Sequence, residues 1–231
     1  MVVVWAIIAL ILILVVIVLA RALMLKPTAA SNAVVELDKT ERAVLYGDKL
    51  AKMIQVETIS EPHQKDRSKF LEFHKVLEKE FPNVHKTCEK NVLNGSLLFK
   101  WEGTGEKAPI MFMSHHDVVE AGGEWEHAPF SGDIDDEGRV WGRGTVDTKA
   151  SLCCIFGAIE ELIEEGYKPP MDVYIASSCT EEVSGDGGPA INNFLKEKGV
   201  KLDLILDEGG MILQAPIAGV NGIYAMVGVV E

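Results

Sequence analysis

Three short apolar runs in this sequence each end in residues able to do chemistry, and this arrangement narrows the possible folds more than any other feature. Pro109-Ile-Met-Phe-Met-Ser runs into His115-His116-Asp117. Met171-Asp-Val-Tyr-Ile-Ala-Ser-Ser-Cys-Thr runs into Glu181-Glu182, and Leu202-Asp-Leu-Ile-Leu into Asp207-Glu208-Gly209-Gly210. Between the first two lies a fourth acidic motif, Trp141-Gly-Arg-Gly-Thr-Val-Asp147-Thr-Lys149. Apolar runs of this length read as buried strands. In an open α/β sheet, ligands bind outside the carboxyl ends of the strands. The clusters are therefore expected to converge on one crevice, where a histidine among several carboxylates points to a divalent cation.

The segments between these runs carry helical spacing. Leu45, Leu50, Met53 and Ile54 recur with a near-helical period from about Thr40 onward, and Phe70, Phe73, His74 and Leu77 share one face over residues 65–80. Pro82 is placed to stop that second helix. The clearest helix covers residues 149–165, with Leu152, Ile155, Phe156, Ile159, Leu162 and Ile163 in one stripe and Gly166 at its end. A further helix is expected at about 188–198 and a strand within 215–230. Residues 95–101 and 109–114 read as strands paired with each other across the Gly103-Thr-Gly105 turn. The strand–helix–strand alternation predicts an α/β fold with a mixed, mostly parallel sheet flanked by helices.

Residues 1–20 hold no charged side chain. A helix of roughly 20 residues at about 1.5 Å each spans the ~30 Å hydrocarbon core of a bilayer. The basic n-region and small-residue exit of a cleavable signal peptide are missing, so the reading is one uncleaved transmembrane helix. Arg21 and Lys26 follow it, and the positive-inside tendency then directs the bulk of the chain to the cytoplasm. The expected layout is an anchor over residues 1–25, a linker over 26–40 and a catalytic portion over 41–231. With 22 basic against 35 acidic residues, the net charge of −13 argues against nucleic acid as a partner. None of the four cysteines has CxxC spacing, and Cys153, Cys154 and Cys179 are expected to be buried free thiols.

Each cluster allows two readings on its own. His115 and Asp117 share a strand face while His116 points away, which makes a ligand with its orienting carboxylate or an ordinary surface pair. Asp147 precedes the clearest helix as an N-cap would, or bridges two cations, with Gly142 and Gly144 giving the tight turn. Adjacent Glu181 and Glu182 repel, which raises the pKa of one. They form a solvated acidic turn or divide into a metal ligand and a general base. The Asp207-Glu208 pair is a turn or a fourth ligand source.

Taken together and in this order, these four motifs, with Trp125-Glu-His-Ala-Pro-Phe-Ser-Gly132 between them, resemble the M20 metallopeptidase family. They are closest to its carboxypeptidase S and N-acyl-amino-acid hydrolase branch. The resemblance runs from about residue 40 to the end. It implies a di-zinc aminopeptidase-like catalytic domain, with His115 and Glu208 (or Asp207 in its place) on one Zn2+, Glu182 on the other and Asp147 bridging. It further implies Asp117 orienting His115, Glu181 as general base, and a cis peptide between Asp147 and Thr148. Co2+ or Mn2+ would suit so carboxylate-rich a site as well. The implied substrates are peptides or N-acyl amino acids.

One departure bears on all of this. The histidines stand at 63, 74, 85, 115, 116 and 127, whereas the family draws a ligand of the second zinc from a histidine beyond an inserted lid or dimerisation domain. The expectation is accordingly an incomplete domain, inactive or nearly so by itself, with a homodimer open only to a longer protein. The competing readings are a catalytically dead, membrane-tethered binding or scaffold remnant, and a two-metal hydrolase of another bond such as an ester.

Overall fold

The computed structural model describes residues 2–24, 40–210, 212–214 and 222–225. The chain divides into two units, Leu37–Gly209 and Met1–Glu36 with Gly210–Glu231. Helix α1 (Val2–Met24) carries exposed apolar side chains from Val4 to Leu19. Its Val4–Arg21 stretch is long and apolar enough to cross a membrane, a character shared by anchors and signal sequences. The expected linker over 26–40 lies outside the described residues except for Thr40.

The larger unit opens with α2 (Glu41–Ile54), whose N-cap Thr40 accepts the Ala43 N–H at 3.3 Å. Next come α3 (Ser68–Glu80) and α4 (Pro82–Thr87). Pro82 both ends the first of these and opens the second, where its missing N–H costs nothing. The new helix start is satisfied from elsewhere, because the Glu160 carboxylate accepts the N–H groups of Asn83 and Val84 at 2.9 and 2.8 Å. Strands β1 (Glu89–Leu93) and β2 (Ser96–Trp101) form a hairpin. Its turn, Asn94-Gly95, has both residues at positive φ, the geometry that matches the twist of paired strands. This Asn-Gly signal, and with it β1, went unread in the sequence.

The remaining elements are β3 (Ile110–Met113), α5 (Ala150–Glu164), β4 (Val173–Ser177), α6 (Gly187–Glu197) and β5 (Leu204–Leu206). They build a five-stranded mixed sheet in the order β1-β2-β4-β3-β5. The expected pairing of the 95–101 and 109–114 strands is corrected here. β4 lies between them, antiparallel to β2 and parallel to β3. Its five residues are all buried, and a strand apolar on both faces belongs at the centre of a sheet. A parallel neighbour also needs a long crossover, which α5 and its approach supply.

Helices cover both faces. Leu97, Phe99, Trp101, Val173 and Ile175 pack with Met53, Phe73, Phe81, Leu152 and Phe156 from α2, α3, α5 and the α3–α4 junction. The opposite face, Leu98, Met111, Tyr174 and Ala176, packs on Ile191 and Leu195 of α6. Phe156 is fully buried, and truncating such a residue to alanine costs about 3–5 kcal/mol. Cys153 and Cys179 are buried as expected, but Cys154 is exposed. It follows Cys153 on the helix, and a rotation of about 100° per residue carries it off the apolar stripe. In the smaller unit, β6 (Ile212–Gln214) and β7 (Ile223–Ala225) pair antiparallel. The second falls inside the strand expected within 215–230, most of which lies outside the described residues.

Candidate metal centre

β3, β4 and β5 run parallel, so the residues following each leave the sheet at the same edge. The chain beyond β3 is held as an extended segment. Ser114 N–H donates to Ala176 O at 3.0 Å and His116 N–H to Ser178 O at 2.9 Å. Thr58 and Ser60 bracket Val118 from the other side, with Val118 N–H donating to Thr58 O and Ser60 N–H to Val118 O. Thr58 Oγ1 also donates to His116 O at 2.6 Å. His115 and Asp117 are therefore presented from a fixed backbone, both buried.

Asp147 arrives on a turn whose glycines are obligatory. Gly142 has φ 149°, and a Cβ there would strike Ile54 and the Pro129 carbonyl. Gly144 has φ 84°, and its Cβ would lie 2.6 Å from Val118. The Asp147–Thr148 peptide is cis, as the family resemblance implied. Ser114 Oγ donates to Thr148 O at 3.0 Å, tying the turn to the chain beyond β3. The Asp147 side chain is 67% exposed and caps no helix.

The side chains meet at His115 Nε2. Asp147 Oδ1 lies 2.9 Å away, Glu208 Oε1 3.1 Å and Glu181 Oε2 3.7 Å. Ligand atoms of His115, Asp147 and Glu182 lie within 4.8 Å of one another, as do those of His115, Glu181 and Glu208. Five of the sequence-derived candidates, His115, Asp147, Glu181, Glu182 and Glu208, thus lie together. Asp207 does not join them; its carboxylate accepts the Glu208 N–H at 2.9 Å.

Asp117 does more than expected. His115 Nδ1–H donates to the main-chain carbonyl of Asp117 at 2.9 Å, with the carboxylate at 3.5 Å. The carboxylate itself accepts the N–H groups of Glu181 and Glu182, each at 3.1 Å. One buried residue therefore aims the histidine through its main-chain carbonyl and holds the loop bearing both glutamates through its carboxylate. Burial alone would raise the Asp117 pKa, but the bonds from His115 and Glu181 N–H keep it below the usual carboxylate range.

Elsewhere the electrostatics record an excess of negative charge. Burial disfavours a charge on His115, yet the hydrogen bond to Asp117 and the Glu208 charge outweigh it and lift its pKa to about 10. Glu182 is raised by burial and then by Asp147. Burial also raises Glu208, with His115 opposing and Asp147 and Glu181 adding to the rise. An imidazole nitrogen with carboxylate oxygens on several sides is a donor set that zinc accepts, and a divalent cation would relieve the repulsion.

A buried polar layer lies beneath the cluster, and the sequence reading passed over most of it. His116 stacks on Phe73 at 5.1 Å and hydrogen-bonds Ser177 Oγ through Nδ1 at 2.8 Å. The fully buried Lys149 donates to Met53 O and Val56 O at 3.1 and 2.9 Å. Burial lowers its pKa to about 7. Its signal in the sequence was a lysine opening the apolar stripe of α5. His74 Nε2–H donates to Gly95 O at 3.0 Å.

Burial pushes the His74 pKa down to about 4, against a hydrogen bond that raises it. Unfolded, the ring takes its proton near the ordinary 6.5. Between those values the unfolded state binds more protons, so stability is complete above about pH 6.5 and falls as pH drops toward 4. At 1.36 kcal/mol per unit the loss reaches about 3 kcal/mol. His74→Gln, which keeps a donor for Gly95 O, should flatten the fall in urea-unfolding stability from pH 7 to pH 5. An unchanged slope would show that His74 is not its source.

A mixed sheet with one histidine and several carboxylates at its carboxyl edge defines a metallohydrolase-type α/β domain. Residues 111–226 match peptidase family M20/M25/M40, and the chain belongs to that family. It is 39% identical over 194 residues to the probable carboxypeptidase S-like 2 of Dictyostelium discoideum, covering 79% of this chain and 37% of that protein. Over 207 residues it is 37% identical to the N-fatty-acyl-amino acid synthase/hydrolase PM20D1 of Xenopus tropicalis, covering 87% and 40%. The fold is similar to that of the dipeptidase Dug1p from Saccharomyces cerevisiae, with a TM-score of 0.57 at 19% identity, over 75% of this chain and 42% of that one. The chain thus spans about two fifths of the length of these curated relatives.

Proposed function

We propose that the protein hydrolyses an amide bond in a peptide or N-acyl amino acid, using divalent cations, zinc foremost, and Glu181 as general base. The observation that carries this reading is the convergence of Asp147, Glu181 and Glu208 on His115 Nε2. In this reading His115 and Glu208 would hold one cation and Glu182 the other, with Asp147 available to both. Bound there, the cation supplies a Lewis acid that acidifies water and polarises a carbonyl. Glu181 takes the proton from the attacking water and returns it to the leaving amine. Asp117 keeps the His115 tautomer correct and the Glu181 loop in register. α1 serves as a single-pass anchor over residues 1–25, followed by a linker over 26–40 and the catalytic portion, on the cytoplasmic side. Protease protection in sealed vesicles tests that side.

A second reading, a membrane-tethered protein that binds a cation without turnover, is favoured by one observation. Among the described residues both candidate ligand groups share a single imidazole, His115, which suits one cation. Zinc titration with turnover assays on a dipeptide, an N-acyl amino acid and an ester separates the readings. Chelator-sensitive amide hydrolysis supports the first, tight zinc without turnover the second, and ester-only turnover a different bond. Failure to bind a cation overturns them all.

A further inference from the structure

Lys149 is a buried cation that the proposed chemistry does not use, and its bonds run to main-chain carbonyls. A charge taken from water costs several kcal/mol unless it is well bonded, whereas a methionine would fill the same volume without that cost. What the ammonium joins is therefore informative. On one side are the carbonyls of Met53 and Val56 at the end of α2, where a helix favours a cation. That segment continues directly into Thr58 and Ser60, which bracket the strand extension carrying His115 and Asp117. On the other side Lys149 closes the Asp147 turn, its N–H donating to Gly144 O at 2.9 Å. The Phe73 ring, on which His116 stacks, lies 5.0 Å from its Nζ.

We propose that Lys149 is a positioning residue that sets the separation of Asp147 and His115, 2.9 Å apart, and thereby the affinity of the centre for a cation. The inference rests on the metal-centre reading above. It is tested on the full 231-residue chain in detergent micelles with Co2+, followed by its visible absorption, and with Zn2+ in competition. Lys149→Met should remain folded by circular dichroism yet bind Co2+ about 10–100-fold more weakly, with an altered spectrum. A folded K149M with unchanged affinity and spectrum overturns the proposal. Should K149M not fold, Lys149→Arg keeps the buried charge but is too long to retain both carbonyl bonds with Asp147 in place. A folded K149R with native affinity and spectrum then overturns it. Asp147→Asn separates the levels. If D147N leaves affinity unchanged, the metal-centre reading itself fails; if D147N weakens binding and K149M does not, only the positioning role falls.

Discussion

Glu181→Gln should retain the cation and lose about 10²–10⁴-fold in turnover, the usual contribution of a positioned general base. The substitution removes a proton acceptor and little else. Glu181 is half exposed, with its carboxylate 3.7 Å from His115 Nε2, behind Asp147 and Glu208 at 2.9 and 3.1 Å. Its placement depends on its own N–H, which Asp117 holds, and glutamine leaves that bond in place. Zinc stoichiometry and kcat on one amide substrate check this together. Full turnover in E181Q would remove Glu181 from the role, and loss of zinc with turnover would make it a ligand instead.

Asp117→Asn has the second large effect, through geometry. The aspartate is fully buried, and both its oxygens accept main-chain N–H groups, from Glu181 and Glu182. An asparagine offers one oxygen and one NH2, so one N–H must face another donor. An unsatisfied buried donor costs about 1–3 kcal/mol. Displacing the glutamate loop should also weaken cation binding by about 10–100-fold, as loss of an orienting partner commonly does. Zinc competition and thermal unfolding measure the two effects separately. Native affinity in a folded D117N would mean that the loop is held by other bonds. His115 gives an internal check, since its Nδ1 bond to the Asp117 main-chain carbonyl survives the substitution.

The grouping of the candidate residues was largely legible because their placement follows local rules, while the roles proposed for them came from the family resemblance. His115 and Asp117 share a strand face by alternation, and His116, facing the other way, does reach the core against Phe73. Glu182 does have a raised pKa, but burial and Asp147 raise it more than the adjacent Glu181 does. The Asp147 turn was readable from its glycines, whose positive φ and tight surroundings exclude a side chain. Less legible were partnerships between distant residues. The Asp117 carboxylate reaches the Glu181 and Glu182 N–H groups across more than sixty positions of chain. Lys149 reaches Met53 and Val56 across more than ninety.

What this sequence determines by itself is the alternation of strands and helices, the faces they bury and the placement of chemistry at the strand ends, because periodicity and turn residues act within a few positions. Tertiary structure alone decides that β4 enters between β2 and β3, that Asp117 serves two masters and that a lysine lies buried under the cluster. A local pattern tells a strand which face to bury and not which neighbour to take. That choice belongs to the hydrogen-bonding and burial needs of the whole sheet, and those are met only when the chain has closed on itself.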